Sequence, residues 1–320
     1  MFARVPDGRA SAGPRHHTHL AFSTAVRSHF EHGVVPWSNA ALSGWILDPD
    51  RKKMSKSKGN VVTPIELFEQ YGSDAVRYWA ASARPGVDTA FSEDQMKVGR
   101  KLATKLLNVS KFVLGFMSDH ANATTVTEAV DHSMLLRLGS VIDEASSAFE
   151  AFDYARALER TEQFFWWFCD DYVELVKVRA YRGADDHGAQ SAVAALNLAL
   201  SSLQRLFAPM LPFVTEEIWS WWQDGSIHNA PWPTSNALGA TGIDILGPVC
   251  EVLAVIRRAK TEAKTSQRTP VAVATVTADA TFIAAVQTGQ ADLVDAGTVD
   301  NLRFVEGDGP TTVVELAQLA

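Results

Sequence analysis

Cysteine and long apolar runs are both scarce in this sequence. The two cysteines, Cys169 and Cys250, are isolated and far apart, so they form neither a zinc-binding pattern nor a disulfide framework. Unpaired thiols are typical of a reducing compartment, and we therefore expect a cytoplasmic protein. No apolar run approaches the roughly 20 residues that a helix needs to cross a bilayer, so no membrane partner is expected.

Positive charge is also in deficit. The 320 residues carry a formal net charge of −8 at pH 7. This argues against a protein that is basic over its whole surface, so any RNA contact must come from local basic faces. The hydrophobic fraction of 47% and the nine tryptophans exclude a disordered chain. This length can hold roughly two domains, each with its own core.

Periodicity is absent from residues 1–20. The stretch is rich in glycine, proline, arginine and histidine, and it has neither the apolar segment of a signal peptide nor an amphipathic targeting helix. His16, His17 and His19 raise the question of a metal, but a solvated histidine-containing tail is the more common explanation. We predict no metal site, an atypical, disordered start over residues 1–20, and a short helix at residues 23–30.

The chain does contain a cationic loop, residues 48–60, after an apolar, strand-like run at residues 42–47. The loop reads Asp48-Pro-Asp-Arg-Lys-Lys-Met-Ser-Lys-Ser-Lys-Gly-Asn60 and carries five cationic side chains. Lysine ammonium groups, serine hydroxyls and backbone N–H groups suit a polyphosphate, and Gly59 allows a turn or a close approach. The alternative is a solvated basic surface turn.

The segment after the loop indicates where the loop lies in the fold. Thr63-Pro64-Ile65-Glu66 is a capping box with proline at the first helical position. A strand, a cationic loop and a capped helix in this order place the loop at the carboxyl edge of a sheet, where α/β folds bind nucleotides. Helices are predicted at residues 64–70 and 74–83, with Gly72 as a C′ residue and Ser73 as an N-cap between them.

A second capping box, Ser92-Glu-Asp-Gln95, opens a long helix to about residue 116. One face is apolar, and no acidic residue occurs from residue 97 to residue 117. The face opposite the apolar one is basic, and a solvated basic face is the common alternative. Because the protein as a whole is acidic, we interpret this basic face as an RNA contact, with one aromatic ring at its edge as a base-stacking group. The predicted RNA-binding residues are Lys97, Arg100, Lys101, Lys105, Asn108, Lys111 and Phe112.

Further helices at residues 131–149, 154–181 and 189–207 predict an antiparallel bundle. The consecutive aromatic residues 164–168 point all around a helix, so we predict that most of them are core. Lys177, Arg179 and Arg182 are explained by complementing the helix dipole. Beyond the bundle, a helix at residues 246–264 and strand-like segments at residues 271–277 and 312–316 predict a small α+β appendage.

Three segments resemble one family. Lys53-Met-Ser-Lys-Ser57 matches the KMSKS signature of class I aminoacyl-tRNA synthetases, and its flanks look like the valyl member. Phe165-Trp-Trp-Phe-Cys-Asp-Asp-Tyr-Val-Glu-Leu-Val-Lys177 and Pro209-Met-Leu-Pro-Phe-Val-Thr-Glu-Glu-Ile-Trp219 resemble helices that follow in valine–tRNA ligases. From about Leu20 onward, the chain thus resembles the C-terminal portion of a class I valine–tRNA ligase, of the short type without an evident C-terminal coiled-coil arm, since no heptad repeat is visible.

The resemblance implies a mixed fold in three parts. Residues 21–91 would be the C-terminal end of a Rossmann-type α/β catalytic domain with the KMSKS loop. Residues 92–240 would form an all-α anticodon-binding bundle, and residues 241–320 the small α+β tail.

The resemblance also implies a reaction. The complete enzyme would join valine to tRNA(Val) through valyl-adenylate, with ATP as substrate and Mg2+ carried by the ATP, as a cytoplasmic monomer. The implied ATP-binding residues are Lys53, Met54, Ser55, Lys56 and Ser57. Lys56 would be the principal catalytic residue, because it would stabilise the phosphates, and Lys53 would assist it.

Other signatures of the family are missing, and two alternatives remain. His17-Thr-His-Leu20 does not match the HIGH signature, and neither a valine pocket nor an editing domain is recognisable, so we expect the isolated chain to be inactive. The isoleucyl and leucyl enzymes share the fold and the loop. A non-catalytic tRNA-binding helical module would keep the basic helix without needing an intact signature loop.

Overall fold

The computed structural model describes residues 14–55, 59–117, 120 and 123–317, with only the backbone for residues 14–18. The chain forms two compact units. The first, unit 1, contains residues up to Ala103 together with residues 147–158, and the second, unit 2, contains residues 104–146 and 159–320. No described helix is long and apolar enough to cross a membrane.

Unit 1 joins short helices to a minimal sheet. Its elements are α1 (Pro14–His32), β1 (Ile46–Leu47), α2 (Pro64–Tyr71), α3 (Ser73–Ala81), β2 (Thr89–Ala90) and the first part of α4 (Glu93–Leu114). β1 and β2 pair in parallel. The core is a cluster of Leu67, Tyr71, Ala75, Val76, Trp79 and Met96. Because Met96 of α4 belongs to this cluster, the compact unit extends past residue 91, where the sequence places the end of the catalytic part.

Unit 1 corrects several local predictions. Only the last two residues of the predicted strand at residues 42–47 pair with another strand. Helix α1 begins at Pro14, inside the stretch expected to be disordered, and continues to His32. Thr63 is the N-cap of α2 without a side-chain hydrogen bond, and Ser73 is the first residue of α3 rather than its cap. The predicted cap at the start of α4 is confirmed, since the Gln95 backbone N–H donates to Ser92 Oγ at 3.3 Å.

Unit 2 is a bundle of long helices. They are the rest of α4, most of α5 (Ala129–Glu150) and α6 (Tyr154–Trp167), and all of α7 (Val173–Ala180), α8 (His187–Phe207), α9 (Pro212–Trp219) and α10 (Leu246–Glu262). The end of α5 and the start of α6 belong to unit 1. The predicted helix at residues 154–181 is interrupted, because Phe168–Tyr172 form a π-helical turn between α6 and α7. Phe164, Phe165 and Phe168 are buried, whereas Trp166 and Trp167 are half-buried. This confirms that most of the aromatic run is core.

A buried ionic network ties α7 to other parts of unit 2. Arg179 donates to both carboxylate oxygens of Asp131 at 2.8 and 2.9 Å, and to those of Asp292 at 2.7 and 2.9 Å. Burial disfavours the guanidinium charge, but these two carboxylates outweigh it and hold the pKa of Arg179 above its ordinary value. The helix-dipole explanation of Arg179 is therefore insufficient, because its side chain is only 5% exposed.

The tail of unit 2 is a three-stranded sheet with two helices. β3 (Val271–Ala278) is central, with β4 (Leu302–Glu306) parallel on one side and β5 (Thr311–Leu316) antiparallel on the other. α11 (Ala280–Thr288) and α12 (Gln290–Gly297) connect β3 to β4. The predicted α+β appendage is confirmed, although sequence reasoning missed β4 and α12.

Candidate functional site

The cationic loop is closed at its base by a carboxylate and an amide. Asp48, which is buried, accepts hydrogen bonds from the backbone N–H of Lys52 at 2.7 Å and from the side-chain amide of Asn60 at 2.8 Å. Asn60 Oδ1 accepts from the backbone N–H of Ser55 at 3.0 Å. The hydrogen bonds from Asn60 and Lys52 lower the pKa of Asp48 below its ordinary value, so the carboxylate remains charged at neutral pH.

Of the predicted ATP-binding residues, Lys53, Met54 and Ser55 are described. Lys53 is exposed, and its Nζ lies 4.0 Å from the centroid of the Trp45 ring. An exposed cation–π contact contributes about 0.5–1 kcal/mol, so the ammonium group can exchange the ring for an anion at small cost. Lys56 and Ser57 lie outside the described residues, and their predicted roles stay predictions.

A cavity of about 500 Å³ lies beside this loop within unit 1. Its walls include Trp45, Met54, Trp79 and Tyr154. The backbone can reach this arrangement because residue 44 is glycine, and any larger residue there would press its Cβ into the carbonyl oxygen of Val87. The cavity therefore offers flat aromatic surfaces next to the Lys53 ammonium group.

Two cations of the predicted RNA-binding face have acidic partners. Lys97 lies 2.9 Å from Asp94 in the same helix, and Lys105 lies 3.0 Å from Asp170 of the π-helical turn. Burial opposes the charge of Lys105, but the hydrogen bond to Asp170 raises the pKa of Lys105 above its ordinary value. The expectation of a face without compensating acids is therefore wrong at these two positions.

The other polar residues of this face are more accessible. Arg100 donates to the carbonyl oxygen of Gln70 at 3.0 Å. Lys101 and Asn108 are exposed, and within the described part of the chain Lys101 makes no ion pair. Lys111 is exposed, with its Nζ 5.7 Å from the centroid of the Trp221 ring. A strip of charge and amide groups on α4 is thus open to solvent.

Phe112 is half-buried in an aromatic group rather than standing alone. Its ring centroid lies 5.0 Å from that of Phe116 and 6.2 Å from that of Tyr181, and Lys177 Nζ lies 5.8 Å from its centroid. The sequence alone predicts no role at this face for Tyr181, Lys177 or Trp221. A helical wheel of α4 could not reveal them, because none of them lies on α4. Lys177 and Tyr181 belong to α7 and its C-terminal end, and Trp221 follows α9.

Among the described residues, no group of three or more histidine, cysteine, aspartate or glutamate side chains is placed to hold a metal. Burial raises the pKa of both Cys169 and Cys250 to about 12, which keeps these thiols protonated and poor metal ligands.

Two family models match the chain. The model described as tRNA synthetases class I (I, L, M and V) matches residues 17–92, which contain the loop. The model described as the anticodon-binding domain of tRNA ligase matches residues 131–275, which contain most of the bundle.

The fold is similar to that of a solved synthetase complex. That structure is a LeuRS–tRNA–LeuAMS ternary complex from Agrobacterium radiobacter K84, with a TM-score of 0.55 and 19% sequence identity over 69% of this chain and 27% of that one. At this identity the likeness establishes the fold alone. It agrees with the predicted mixed architecture.

Curated relatives are similar over nearly the whole chain. The valine–tRNA ligase of Salinispora tropica is 54% identical over 98% of this chain and 39% of its own length. That of Thermobifida fusca is 56% identical over 90% of this chain and 33% of its own length. The chain thus spans about two-fifths or less of the length of these relatives. Together with the two family models, they establish that the chain belongs to the class I tRNA synthetases and, within them, is similar to the valine–tRNA ligases.

Proposed function

We propose that this chain is part of an enzyme that joins valine to tRNA(Val), using ATP and passing through valyl-adenylate. Because the chain spans only part of its relatives' length, the reaction is proposed for the complete enzyme, and the isolated chain is expected to bind without catalysing. It contributes the signature loop to the first step and the exposed face of α4 to the binding of tRNA.

The loop would act on the phosphates of ATP. As the α-phosphorus is attacked, negative charge grows on the leaving pyrophosphate, and an ammonium group that closes on it then stabilises the transition state more than the ground state. We assign this role to Lys56, with Lys53, Met54, Ser55 and Ser57 in the ATP-binding set. Mg2+ enters with ATP and screens the same phosphates.

The observation that carries this proposal is the closed base of the loop. The side-chain amide of Asn60 donates to Asp48 at 2.8 Å and so joins the two ends of the loop, directly after a strand of a parallel pair. Asn60 Oδ1 also accepts from the backbone N–H of Ser55 at 3.0 Å. The backbone at both ends of the loop is therefore held, while the Lys53 side chain stays exposed. This combination suits a site that must change its contacts during a reaction.

The α4 face would bind the backbone of tRNA through Lys97, Arg100, Lys101, Lys105, Asn108 and Lys111, with Phe112 beside them. Phosphate binding by such a face is electrostatic and depends on salt. The enzyme is proposed to act as a monomer in the cytoplasm.

The test is a charging assay on the complete enzyme that carries this segment. It compares valine, isoleucine and leucine as substrates, with tRNA(Val), tRNA(Ile) and tRNA(Leu) as acceptors. We expect ATP-dependent charging of tRNA(Val) with valine to exceed each mismatched combination by at least about 10²-fold, the discrimination typical of a hydrophobic pocket. Preferred charging with isoleucine or leucine would assign the chain to another member of the class.

A tRNA-binding module without catalysis is the second candidate. It is favoured by the anticodon-binding model, which matches residues 131–275, a longer part of the chain than the class I model matches. ATP-dependent protection of the loop from protease separates the two functions. Only the synthetase requires ATP to bind there, so protection unchanged by ATP would favour the module.

A further inference from the structure

The turn that begins the cationic loop delivers Lys53 to a fixed position beside β1. Residues 48–52 form this turn, in which the Asp48 backbone N–H donates to the carbonyl oxygen of Lys52 at 2.9 Å. Directly after it, Lys53 pairs with Leu47 of β1 in an isolated antiparallel bridge. The backbone of Lys53 is therefore held against the strand, although its side chain is exposed.

This bridge explains why the Lys53 side chain lies over the Trp45 ring. Directly opposite residues of an antiparallel pair project to the same side, and so do residues two apart on one strand. Trp45 lies two residues before Leu47, so it is the diagonal neighbour of Lys53, within reach of a long side chain. The Lys53 ammonium nitrogen lies 4.0 Å from the centroid of the Trp45 ring.

The Trp45 ring is attached to a backbone that is itself fixed. The Trp45 backbone N–H donates to the Asp88 carboxylate at 2.7 Å, and its carbonyl oxygen accepts from the backbone N–H of Thr89 at 2.8 Å. The residue is half-buried and also lines the cavity of unit 1. It therefore provides a preformed aromatic face for the lysine cation.

The Asn60 side chain restrains the backbone of Lys53. Asn60 Nδ2 donates to the Lys53 carbonyl oxygen at 3.3 Å and to Asp48 at 2.8 Å. Asn60 Oδ1 accepts from the backbone N–H of Ser55 at 3.0 Å. Lys53 is therefore restrained at its carbonyl group by Asn60 and at its ammonium group by Trp45.

Lys52 differs from Lys53, although the two are adjacent in the chain. Its ammonium nitrogen lies 3.3 Å from Asp50, and the two side chains are 69% and 76% exposed. Adjacent residues of an extended segment point to opposite sides, so the bridge that places Lys53 over the ring turns Lys52 the other way. Lys52 thus carries the same charge on the same loop, with an acidic partner in place of the ring.

We propose that Trp45 and Asn60 are positioning residues for the activation of valine, and that both act through Lys53. Asn60 sets the position of the Lys53 backbone, and Trp45 sets that of its ammonium group. The ammonium group has three N–H donors, so it can keep the ring on one side and bind a phosphate oxygen of ATP on the other. A lysine side chain that is already ordered loses less conformational entropy when it binds an anion.

This inference rests on the proposed function, in which Lys53 belongs to the ATP-binding set. It adds two residues outside the signature, Trp45 and Asn60, and gives each a defined target on Lys53. Because positioning residues act through another group, their effects should depend on whether that group is present. Double-mutant cycles with Lys53 therefore test the inference directly.

The first experiment is such a cycle at Trp45, in the complete enzyme that carries this segment. Valine-dependent pyrophosphate exchange measures kcat/KM for ATP. Trp45→Leu should lower kcat/KM about 3-fold, the size expected for an exposed cation–π contact, and Trp45→Phe should retain most of the activity because it keeps an aromatic face. In a Lys53→Ala background, Trp45→Leu should have no further effect.

Lys52→Ala provides the matched background for this cycle. Trp45→Leu should keep its full effect, about 3-fold, when Lys52 is replaced and Lys53 is present. Equal effects of Trp45→Leu in the Lys52→Ala and Lys53→Ala backgrounds would show that Trp45 contacts ATP itself or only supports the fold. Either explanation would overturn its role as a positioning residue.

The second experiment repeats the cycle at Asn60. Asn60→Ala should lower kcat/KM for ATP about 10-fold, the size expected for one or two hydrogen bonds. In the Lys53→Ala background the loss should shrink to about 3-fold, which is the share of the hydrogen bond to Ser55. KM for valine should stay unchanged in every variant, whereas general unfolding of unit 1 would alter it. A loss of the same size in both backgrounds would overturn the role of Asn60.

The outcomes separate these positioning roles from the proposed function. If the unaltered complete enzyme showed no valine-dependent pyrophosphate exchange, the proposed function would fail, and the inference would fail with it. If exchange occurred but both cycles were additive, or if Lys53→Ala left kcat/KM unchanged, the inference alone would be overturned.

Discussion

Unit 1 and unit 2 differ in how completely each buries its own apolar surface. In unit 1 the sheet pairs only two residues of each strand, and apolar side chains of the unit stay exposed, including Val35 at 78%, Leu42 at 53% and Ile46 at 53%. In unit 2 the middle of the bundle is closed, with Leu135, Phe165 and Phe207 fully buried.

The two units depend on different forces. A parallel sheet is normally covered on both faces, so unit 1 gains stability if further apolar surface covers its exposed strand residues. Unit 2 closes its core and then adds a buried ionic network at Arg179, which stabilises only while every partner is present. The comparison therefore predicts different vulnerabilities, and each can be tested.

Limited proteolysis should produce the largest contrast. Unit 2 should resist cleavage because its core is closed. Unit 1 should open locally and be cut first, at sites N-terminal to residue 92. The product should be a helical fragment of unit 2 that still binds tRNA weakly. Mass spectrometry of a time course identifies the fragments, and digestion in strong denaturant is the control in which both units should be cut alike. A surviving first unit with a lost bundle would reverse the comparison.

Removing the centre of the ionic network should destabilise unit 2 strongly. Arg179→Met leaves Asp131 and Asp292 buried without their cation, and breaking a buried pair in this way costs about 3–5 kcal/mol. Urea unfolding measures the loss. Arg182→Met is the control, because its side chain is 43% exposed and an exposed pair contributes about 0–1 kcal/mol. Similar losses in the two variants would show that burial does not govern this network.

The loop of unit 1 should matter for chemistry rather than stability. In a complete enzyme carrying this segment, Lys56→Ala should slow valyl-adenylate formation by about 10²-fold or more, as expected when one transition-state donor is lost, while valine binding stays nearly unchanged. Pyrophosphate exchange measures the rate. Lys52→Ala is the control, because Lys52 already faces Asp50 at 3.3 Å. Equal losses in rate and in valine binding would refute the assignment.

The basic face should show a smaller effect that depends on pairing. Lys101→Gln should lower the slope of log affinity for tRNA against log salt by roughly 0.7–0.9, the contribution of one phosphate contact. Lys105→Gln should lower it less, because Asp170 already neutralises part of that charge. Lys264→Gln serves as a control from outside the predicted face. An unchanged slope for Lys101→Gln would show that this basic face is solvated and does not contact tRNA phosphates.

The smallest effect should come from pH. The folded-state pKa of Asp48 is lowered by Asn60 and Lys52, so its contribution to loop stability is present above the ordinary value of 3.8 and is lost as pH falls through the lowered pKa. The protection of the Lys52 amide from exchange, relative to its intrinsic exchange rate at each pH, should therefore fall below about pH 4. Asn60→Ala should move the onset of this loss of protection to higher pH. An unchanged onset would show that Asn60 does not lower the pKa of Asp48.

Local signals in the sequence predicted most of the helices. Capping residues and the 3.6-residue period placed α4 within two residues at each end, and the Ser92 cap lies where the sequence predicts it. The strand at residues 42–47 was predicted too long, because pairing depends on Thr89 and Ala90, which lie more than 40 residues further along. The sequence of β4 alternates only over Leu302-Arg303-Phe304 before Val305 interrupts the alternation, so it did not indicate a strand.

The candidate site was predictable where its chemistry is contiguous. The signature loop could be read directly, but the partners of Asp48 and Lys105 depend on folding. Arg179 is the clearest case, since its carboxylate partners are 48 and 113 residues away in the chain. The helix dipole accounts for a cation near the end of α7. The burial of Arg179 and its two distant carboxylate partners account for its place in the ionic network. Tyr181, which lies beside Phe112, was missed for the same reason.

The π-helical turn at Phe168–Tyr172 has a consequence for how the bundle can change over evolutionary time. In such a turn the backbone bonds reach five residues back, as from Val173 N–H to the Phe168 carbonyl. Arg257 of α10 donates to the carbonyl oxygen of Asp170 at 2.9 Å. Deleting one residue here would restore an ordinary helix and rotate everything after it by about 100°, carrying Arg179 away from Asp131. Single-residue deletions in the turn should therefore be far less tolerated than in the loops, although both alter chain length equally.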